Sequence, residues 1–273
     1  MAGVLEPQQR EITVRGLRLN YLDWGNEVLQ PMLLLHGLQD CARSWDFFAA
    51  TMADSYHVLA LDHRGHGDSA WAPDGSYKLA DYVGELEELV DALGLRDLVL
   101  MGHSAGGKNA FIYASGHSDR VDKLVIVDMD PDASNPGSAT MFDRYRTESD
   151  EWDDLAAVVE RLRSREPNAS EETLRHHAVA MTRETPEGKR VWKRDRALVM
   201  GYERPDAWAY LDGIACPTLL VRGAQSTLLI HDVAERMQRR IPNCQFVEVP
   251  GGAHWCYDEN PGGFLSALRG FLG

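Results

Sequence analysis

Apolar and polar positions alternate at the start of the chain. Glu11 to Arg15 and Leu17 to Trp24 alternate around Gly16, which predicts an opening hairpin of half-buried strands. Longer apolar runs follow, and such runs are typical of strands that helices cover on both faces. They predict strands over residues 31–35, 56–61, 98–101, 123–127 and 218–221, with one more strand over residues 245–249.

Between these strands, apolar residues recur at helical spacing. The pattern predicts helices over residues 79–93, 106–115, 232–240 and 261–272. Pro261 suits the first turn of the last helix. Strands that alternate with helices in this way predict an α/β fold with a mostly parallel, doubly wound sheet.

The segment from residue 132 to residue 213 has a different character. Charged residues dominate it, and helical segments are predicted over residues 152–163, from about Ser170 onward, and over residues 206–211. We interpret His176 and His177 as a solvated helix face. The segment interrupts the alternation of strands and helices, so we expect a core of residues 1–131 and 214–273 with residues 132–213 as a helical lid.

Composition and charge limit the classes of partner. The chain has 28 basic and 42 acidic residues, a formal net charge of −14, which would repel nucleic acid and anionic lipid. No apolar run approaches the roughly 20 residues of a membrane helix, and the N-terminus lacks an apolar secretory core. Cys41, Cys216, Cys244 and Cys256 are scattered, which predicts reduced thiols in a cytoplasmic protein. The oligomeric state stays open, a homodimer included.

The candidate chemistry begins at Gly102-His103-Ser104-Ala105-Gly106. This G-x-S-x-G pattern follows an apolar strand and precedes a predicted helix, the context in which a serine stands on a sharp turn, exposed to a substrate. The two glycines allow strand and helix to approach closely. Ser104 is therefore the candidate nucleophile.

Three further motifs occur in an informative order. They are His36-Gly37 after one strand, Asp62-His-Arg-Gly-His-Gly67 after the next, and Gly252-Ala253-His254 before the last helix. Together with the Ser104 turn, they make the whole chain resemble the α/β-hydrolase family. The resemblance implies that family's fold, with a helical lid inserted after the sixth strand. It also implies that His254 is the general base, and that the backbone N–H groups of Leu38 and Ala105 form the oxyanion hole.

The acid of the triad departs from the family's commonest pattern. Members usually carry Asp or Glu in the turn after the strand that ends here at Val221, and residues 222–228 contain neither. Asp232 lies further on, within a predicted helix. Some relatives use an acid after the preceding strand, which predicts Asp128, with Asp130 as the alternative.

A serine nucleophile implies acyl transfer from a small-molecule ester, lactone, thioester or amide, with no cofactor and no metal. His63, His66 and Asp68 are interpreted as part of a structural loop. A carbon–carbon bond hydrolase remains an alternative. So does an amidohydrolase acting on an enamide of the acetamidomethylene-succinate type, since the triad layout is similar to that of such enzymes. A non-catalytic binding protein on the same fold is the alternative from another class.

Substrate-binding residues are the least determined part of the site. Aromatic side chains near the predicted site are candidates for its lining, namely Trp45, Trp208 and Trp255. An acidic substrate would call for cationic residues in the lid. Arg144 is the first candidate, and Arg146, Arg163 and Arg165 are also available.

Overall fold

The computed structural model describes residues 6–273, which form eleven strands and eleven helices. The strands are β1 (Gln8–Val14), β2 (Leu17–Asp23), β3 (Pro31–Leu35), β4 (His57–Leu61), β5 (Leu98–His103), β6 (Val121–Val127), β7 (Glu151–Trp152), β8 (Thr182–Glu184), β9 (Arg190–Trp192), β10 (Thr218–Gly223) and β11 (Cys244–Val249). The helices are α1 (Asp46–Met52), α2 (Leu79–Ala92), α3 (Ala105–Gly116), α4 (Pro136–Thr147), α5 (Leu155–Arg163), α6 (Glu171–Met181), α7 (Arg196–Met200), α8 (Trp208–Leu211), α9 (His231–Arg240), α10 (Cys256–Glu259) and α11 (Pro261–Leu272). A 3₁₀ turn over Ala42–Trp45 leads into α1.

Eight strands form the main sheet, in the order β1-β2-β4-β3-β5-β6-β10-β11. β1 and β2 make the predicted hairpin, turning at Arg15 and Gly16, which have φ angles of 50° and 75°. β2 runs antiparallel to β4, and the remaining pairs are parallel. All six residues of β5 are buried between β3 and β6, so the strand that leads to Ser104 lies inside the sheet.

Alternate residues of the central strands pack on opposite faces of the sheet. Leu98 and Leu100 belong to the core layer that contains α2, α3 and α9. Val99 and Met101 belong to the other layer, with α1 and α11. Because helices cover both faces, the central strands are apolar throughout, as the sequence indicated.

The segment between β6 and β10 contains five helices, α4 to α8, and a small antiparallel sheet with the strand order β7-β9-β8. This sheet was not predicted, because strands of two or three residues are too short to show a periodic pattern. Near its end, Ala207 and Leu211 pack in the same core layer as α3. The division into a core and a lid stays a prediction.

Two observations concern membranes and thiols. Among residues 6–273, no helix combines the length and the apolar character that crossing a membrane requires. All four cysteines are free thiols, and Cys41, Cys216 and Cys256 are buried.

Candidate active site

Ser104 stands on a strained turn between β5 and α3. Its backbone angles are φ 52° and ψ −122°, a combination that residues other than glycine rarely adopt. α3 begins at the next residue. A Cβ atom at Gly102 would lie 2.3 Å from the carbonyl oxygen of Gly106, and one at Gly106 would lie 2.4 Å from that of Leu35. The two glycines are therefore required where strand and helix meet.

His254 and Asp128 form a buried hydrogen-bonded pair. Nδ1 of His254 lies 2.8 Å from Oδ1 of Asp128, and both residues are almost completely buried. Asp128 follows β6 directly, with a φ of 46°, and His254 lies in the loop after β11. Asp130, the alternative acid, is bound by Arg204 instead. The geometry thus joins the predicted base to the first choice of acid.

The turn after β10 contributes to this pair without a carboxylate. The N–H of Gly223 donates to Oδ2 of Asp128 at 2.8 Å, and the hydroxyl of Ser226 donates to Oδ1 at 2.6 Å. The sequence indicated that residues 222–228 lack an acid, but the two donors were not predicted. The serine at position 226, in a turn without the usual acid, is the signal that could have pointed to this role.

Burial sets the protonation of the pair. It raises the pKa of Asp128 to about 7, and the hydrogen bonds from Ser226 and Gly223 act against that rise. Burial, followed by the positive charge of Arg165, lowers the pKa of His254 to about 3. The His254 ring is therefore neutral near pH 7, the form in which an imidazole accepts a proton.

One cavity brings the predicted residues together. One pocket is lined by all five predicted residues, Ser104, Asp128, His254, Leu38 and Ala105. Among residues 6–273, no hydrogen-bond acceptor is assigned to the N–H of Leu38 or of Ala105. Both donors are free for an oxyanion, as the oxyanion-hole prediction requires.

The other walls of this cavity are mostly apolar, with one ion pair. They are formed by Met129, Asp130, Met141, Phe142, Tyr202, Arg204 and Leu228. Met141 and Phe142 come from α4, while Tyr202 and Arg204 come from the irregular stretch between α7 and α8. Sequence reasoning missed these residues, because nothing in the sequence separates Arg204 from the other arginines of its segment.

The four predicted substrate-binding residues do not line the cavity that contains Ser104, so this part of the prediction is corrected. Trp45 is fully buried and stacks on Tyr257, with ring centroids 4.5 Å apart. Trp208 packs against the core layer of α3, and its Nε1 donates to Asp132. Arg144 is exposed on α4, whose buried side carries Phe142.

Trp255 is also buried, but it contacts the base. Its ring meets the His254 ring edge to face, with centroids 4.7 Å apart. The guanidinium carbon of Arg165 lies 4.5 Å from the centroid of the indole. Arg163, by contrast, lies on the surface and pairs with Glu160 and Glu171.

The Asp62–Gly67 loop is hydrogen-bonded as a structural crossing. Asp62 accepts from the N–H groups of Ala42 and Asp68, at 2.7 and 2.9 Å. Nε2 of His66 accepts from the N–H of Gln39. The carboxylate of Asp62 and the imidazole of His66 are therefore engaged by the protein itself.

Within residues 6–273, one group of buried side chains could be considered for a metal: Glu166, His177 and Asp258, whose ligand-type atoms lie within 4.8 Å of one another. Nδ1 of His177 faces Glu166 at 3.5 Å, and Nε2 faces Asp258 at 3.6 Å. The two ring nitrogens therefore face two different acidic side chains on opposite sides of the ring. Although burial opposes it, the pKa of His177 is raised to about 9 by the charges of Asp258 and Glu166. His177 is thus buried between two acidic residues, and its interpretation as solvated was wrong.

Comparison with known proteins gives the family. A model of the alpha/beta hydrolase fold matches residues 30–261, so the chain belongs to the α/β-hydrolase family. The 2-(acetamidomethylene)succinate hydrolase of Mesorhizobium japonicum is 27% identical, over 96% of this chain and 94% of its own length. The sn-1-specific diacylglycerol lipase of Mus musculus is 29% identical, over 97% and 88%. The N-formylmaleamate deformylase of Pseudomonas putida is 26% identical, over 96% and 95%.

A solved structure agrees with this assignment. The crystal structure of E-2-(acetamidomethylene)succinate hydrolase superposes with a TM-score of 0.90 at 25% identity, over 97% of this chain and 99% of that one. The predicted fold is confirmed. The predicted activity is confirmed at the level of the class, since these relatives are hydrolases.

Proposed function

We propose that this protein is a serine hydrolase that cleaves an ester, lactone or amide bond of a small acyl substrate. The proposal rests on one cavity. Ser104, with a φ of 52°, lines this cavity together with the hydrogen-bonded His254–Asp128 pair. Leu38 and Ala105, whose N–H groups are free, line it as well. A serine hydroxyl is a weak nucleophile until a neighbouring base takes its proton. The neutral His254 ring suits that role.

In the first half-reaction, Oγ of Ser104 attacks the substrate carbonyl carbon while Nε2 of His254 takes the hydroxyl proton. The carbonyl oxygen becomes an oxyanion, which the N–H groups of Leu38 and Ala105 would bind. The carbon–leaving-group bond then breaks. The imidazolium returns its proton to the leaving group, and an acyl ester remains on Ser104.

Water completes the cycle. His254 takes a proton from the water molecule, whose oxygen attacks the acyl carbon, and the bond to Oγ of Ser104 breaks with return of the proton. Asp128 holds the ring through Nδ1 and stabilises the imidazolium in both halves. No cofactor takes part in this scheme.

Hydrolysis of a substrate panel tests the proposal. The panel contains a short-chain and a long-chain p-nitrophenyl ester, a lactone, an aryl amide and a carboxylated enamide. We expect the wild type to hydrolyse at least one member and Ser104→Ala to lose that activity. A rate that Ser104→Ala retains would refute the serine mechanism. A wild type inactive on every member, and unreactive towards a fluorophosphonate, would favour the binding-protein alternative. Cleavage of a carbon–carbon bond in a diketone substrate would favour the other alternative.

A second candidate, an amide substrate that carries a carboxylate, has one observation in its favour. Arg204 lines the cavity with Ser104, and its Nε has no hydrogen-bond partner among residues 6–273. The amine of Lys108 is nearby, and its pKa is lowered to about 8 by burial and by the charge of Arg204. The names of two relatives include carboxylated substrates, a succinate derivative and a maleamate derivative. Planar guanidinium groups suit carboxylate recognition.

Matched substrates test this candidate. Arg204→Gln should lower kcat/KM for a carboxylated ester and leave kcat/KM for its neutral analogue nearly unchanged. Arg144→Ala, on the exposed face of α4, is the control and should affect the two esters equally. Equal effects of Arg204→Gln on both esters would rule out a carboxylate subsite at Arg204.

We also propose that residues 132–213 act as the lid. Met141, Phe142, Tyr202 and Arg204 from this segment contribute walls to the cavity, so exchange of substrate would require the segment to move. A cytoplasmic location and a homodimer remain predictions.

A further inference from the structure

Arg165 lies two residues after the end of α5. Its side chain is only 4% exposed, and its Nε donates to Oε1 of Glu166 at 2.8 Å. Its guanidinium carbon stands 4.5 Å from the centroid of the Trp255 ring, a cation–π distance. The buried guanidinium therefore contacts the indole of Trp255 and also the thioether of Met181, which lies 3.7 Å from Nη2.

Trp255 also contacts two loops of the candidate site, the loop of His254 and the loop after Leu38. Its ring meets the His254 ring edge to face, with centroids 4.7 Å apart and planes at 85°. Its Nε1 donates to Oδ2 of Asp40 at 3.3 Å. Asp40 lies two residues after Leu38, which carries one of the oxyanion-hole donors. One indole ring therefore joins Arg165, the base and the oxyanion loop.

The same segment holds the histidine loop at a second point. Oε2 of Glu166 faces Nδ1 of His177, and Nε2 of His177 faces Asp258 of α10. α10 begins two residues after His254. Buried ion pairs of this kind add little net stability over apolar packing, and they can fix one arrangement of the elements that carry them.

We propose that Arg165 is a positioning residue for His254: it fixes the Trp255 ring, and through that ring the orientation of the base and of the loop after Leu38. This inference rests on the proposed function. Arg165 does not line the cavity that contains Ser104, so its effect should appear in kcat and not in KM.

The charge of Arg165 adds an electrostatic effect that a purely structural residue would lack. Among the groups that face the His254 ring are Asp128, Asp40, Glu166, Arg165, Arg204 and His103. Of these, Arg165 most strongly favours the neutral ring. Without that charge the hydrogen-bonded His254–Asp128 pair would bind a proton more tightly, and the acidic limb of the pH–rate profile, which reports the titration of the pair, would move to higher pH.

Three variants separate position from charge. Arg165→Met removes both, Arg165→Lys keeps the charge and loses the planar stacking, and Arg163→Met is the surface control two residues away. We expect kcat to fall about tenfold in both Arg165 variants, with KM nearly unchanged, because small displacements of a catalytic group are costly. The acidic limb should move to higher pH in Arg165→Met and return in Arg165→Lys. Arg163→Met should match the wild type.

Arg165→Met removes a buried cation that pairs with Glu166, so it could fail to fold. Trp255→Phe then serves in its place, since it keeps an aromatic ring and loses the donor to Asp40, and it should lower kcat with KM unchanged. A wild-type kcat in both Arg165→Lys and Trp255→Phe would overturn the inference, as would a rise in KM alone. The proposed function fails differently, when the wild type itself does not react with a fluorophosphonate at Ser104.

Discussion

Oδ1 of Asp128 lies 2.8 Å from Nδ1 of His254, although 126 positions separate the two residues in the chain. Asp128 directly follows β6, and His254 follows β11, two strands further along the sheet. β10 lies between these two strands. The N–H of Gly223, at the end of β10, and the hydroxyl of Ser226, in the turn that follows, both donate to the carboxylate of Asp128. The acid thus lies one strand away from its usual position in the family, and residues at that usual position donate hydrogen bonds to it.

Replacing this acid should remove most of the activity. Asp128→Asn keeps the volume and should leave the fold intact, but an amide cannot stabilise the imidazolium and favours the wrong tautomer of His254. Turnover is expected to fall about 10⁴-fold, as in other triads. Steady-state hydrolysis together with circular dichroism checks both parts. Asp130→Asn is the comparison and should retain most of the turnover, and the reverse ranking would exchange the two acids.

Ser226 should affect the pH dependence. Its hydroxyl lowers the pKa of Asp128, so Ser226→Ala should raise that pKa, and activity that needs the carboxylate should appear at higher pH. A hydrogen bond to a charged group contributes about 1.5–3 kcal/mol, so the acidic limb of kcat/KM should move by about one pH unit or more. Thr227→Ala, at the exposed neighbour, should leave the limb in place. An unmoved limb in Ser226→Ala would exclude this support.

A methyl group at Gly106 should be costly. Its Cβ would lie 2.4 Å from the carbonyl oxygen of Leu35 and 2.5 Å from that of His36, both backbone atoms that cannot move aside easily. Gly106→Ala should lower the free energy of unfolding by about 1–3 kcal/mol, and by more if the strands cannot relax. Gly116→Ala, in the same helix with no atom within 4 Å of its Cβ, should be neutral or slightly stabilising. Urea unfolding of both variants measures the difference.

His177 should make stability depend on pH. Its pKa is raised from 6.5 to about 9 in the folded protein, so its charge contributes stability that is fully present below pH 6.5 and is lost as pH rises through 9. The urea midpoint of the wild type should therefore exceed that of His177→Gln near pH 6, and the gap should narrow by pH 9. A gap that stays constant over this range would show that the ring is not charged between Glu166 and Asp258.

Local motifs carried the prediction of fold and catalytic residues, because each motif encodes its own geometry. The Gly-x-Ser-x-Gly turn specifies a strained serine between a strand and a helix, and the lack of a carboxylate in residues 222–228 pointed to Asp128. Each of these features spans only a few residues. They could therefore be read without knowing how distant parts of the chain meet.

The cavity walls and the buried charges depend on contacts between distant residues. Arg144 and Arg204 are alike in the sequence, and only the packing of α4 and of the stretch after α7 puts one in solvent and the other beside Ser104. His177 belongs to a charged helix, and its partner Asp258 comes from the far end of the chain. Trp45 is buried because Tyr257 stacks on it. No local sequence pattern predicts such contacts between distant residues.

The most direct test of the serine mechanism is the mass of the protein after reaction with a fluorophosphonate. The wild type should gain one phosphonyl group, located by peptide mapping on Ser104, while Ser104→Ala should gain none and His254→Ala should react far more slowly. Modification of a residue other than Ser104, or equal labelling of wild type and Ser104→Ala, would contradict the account.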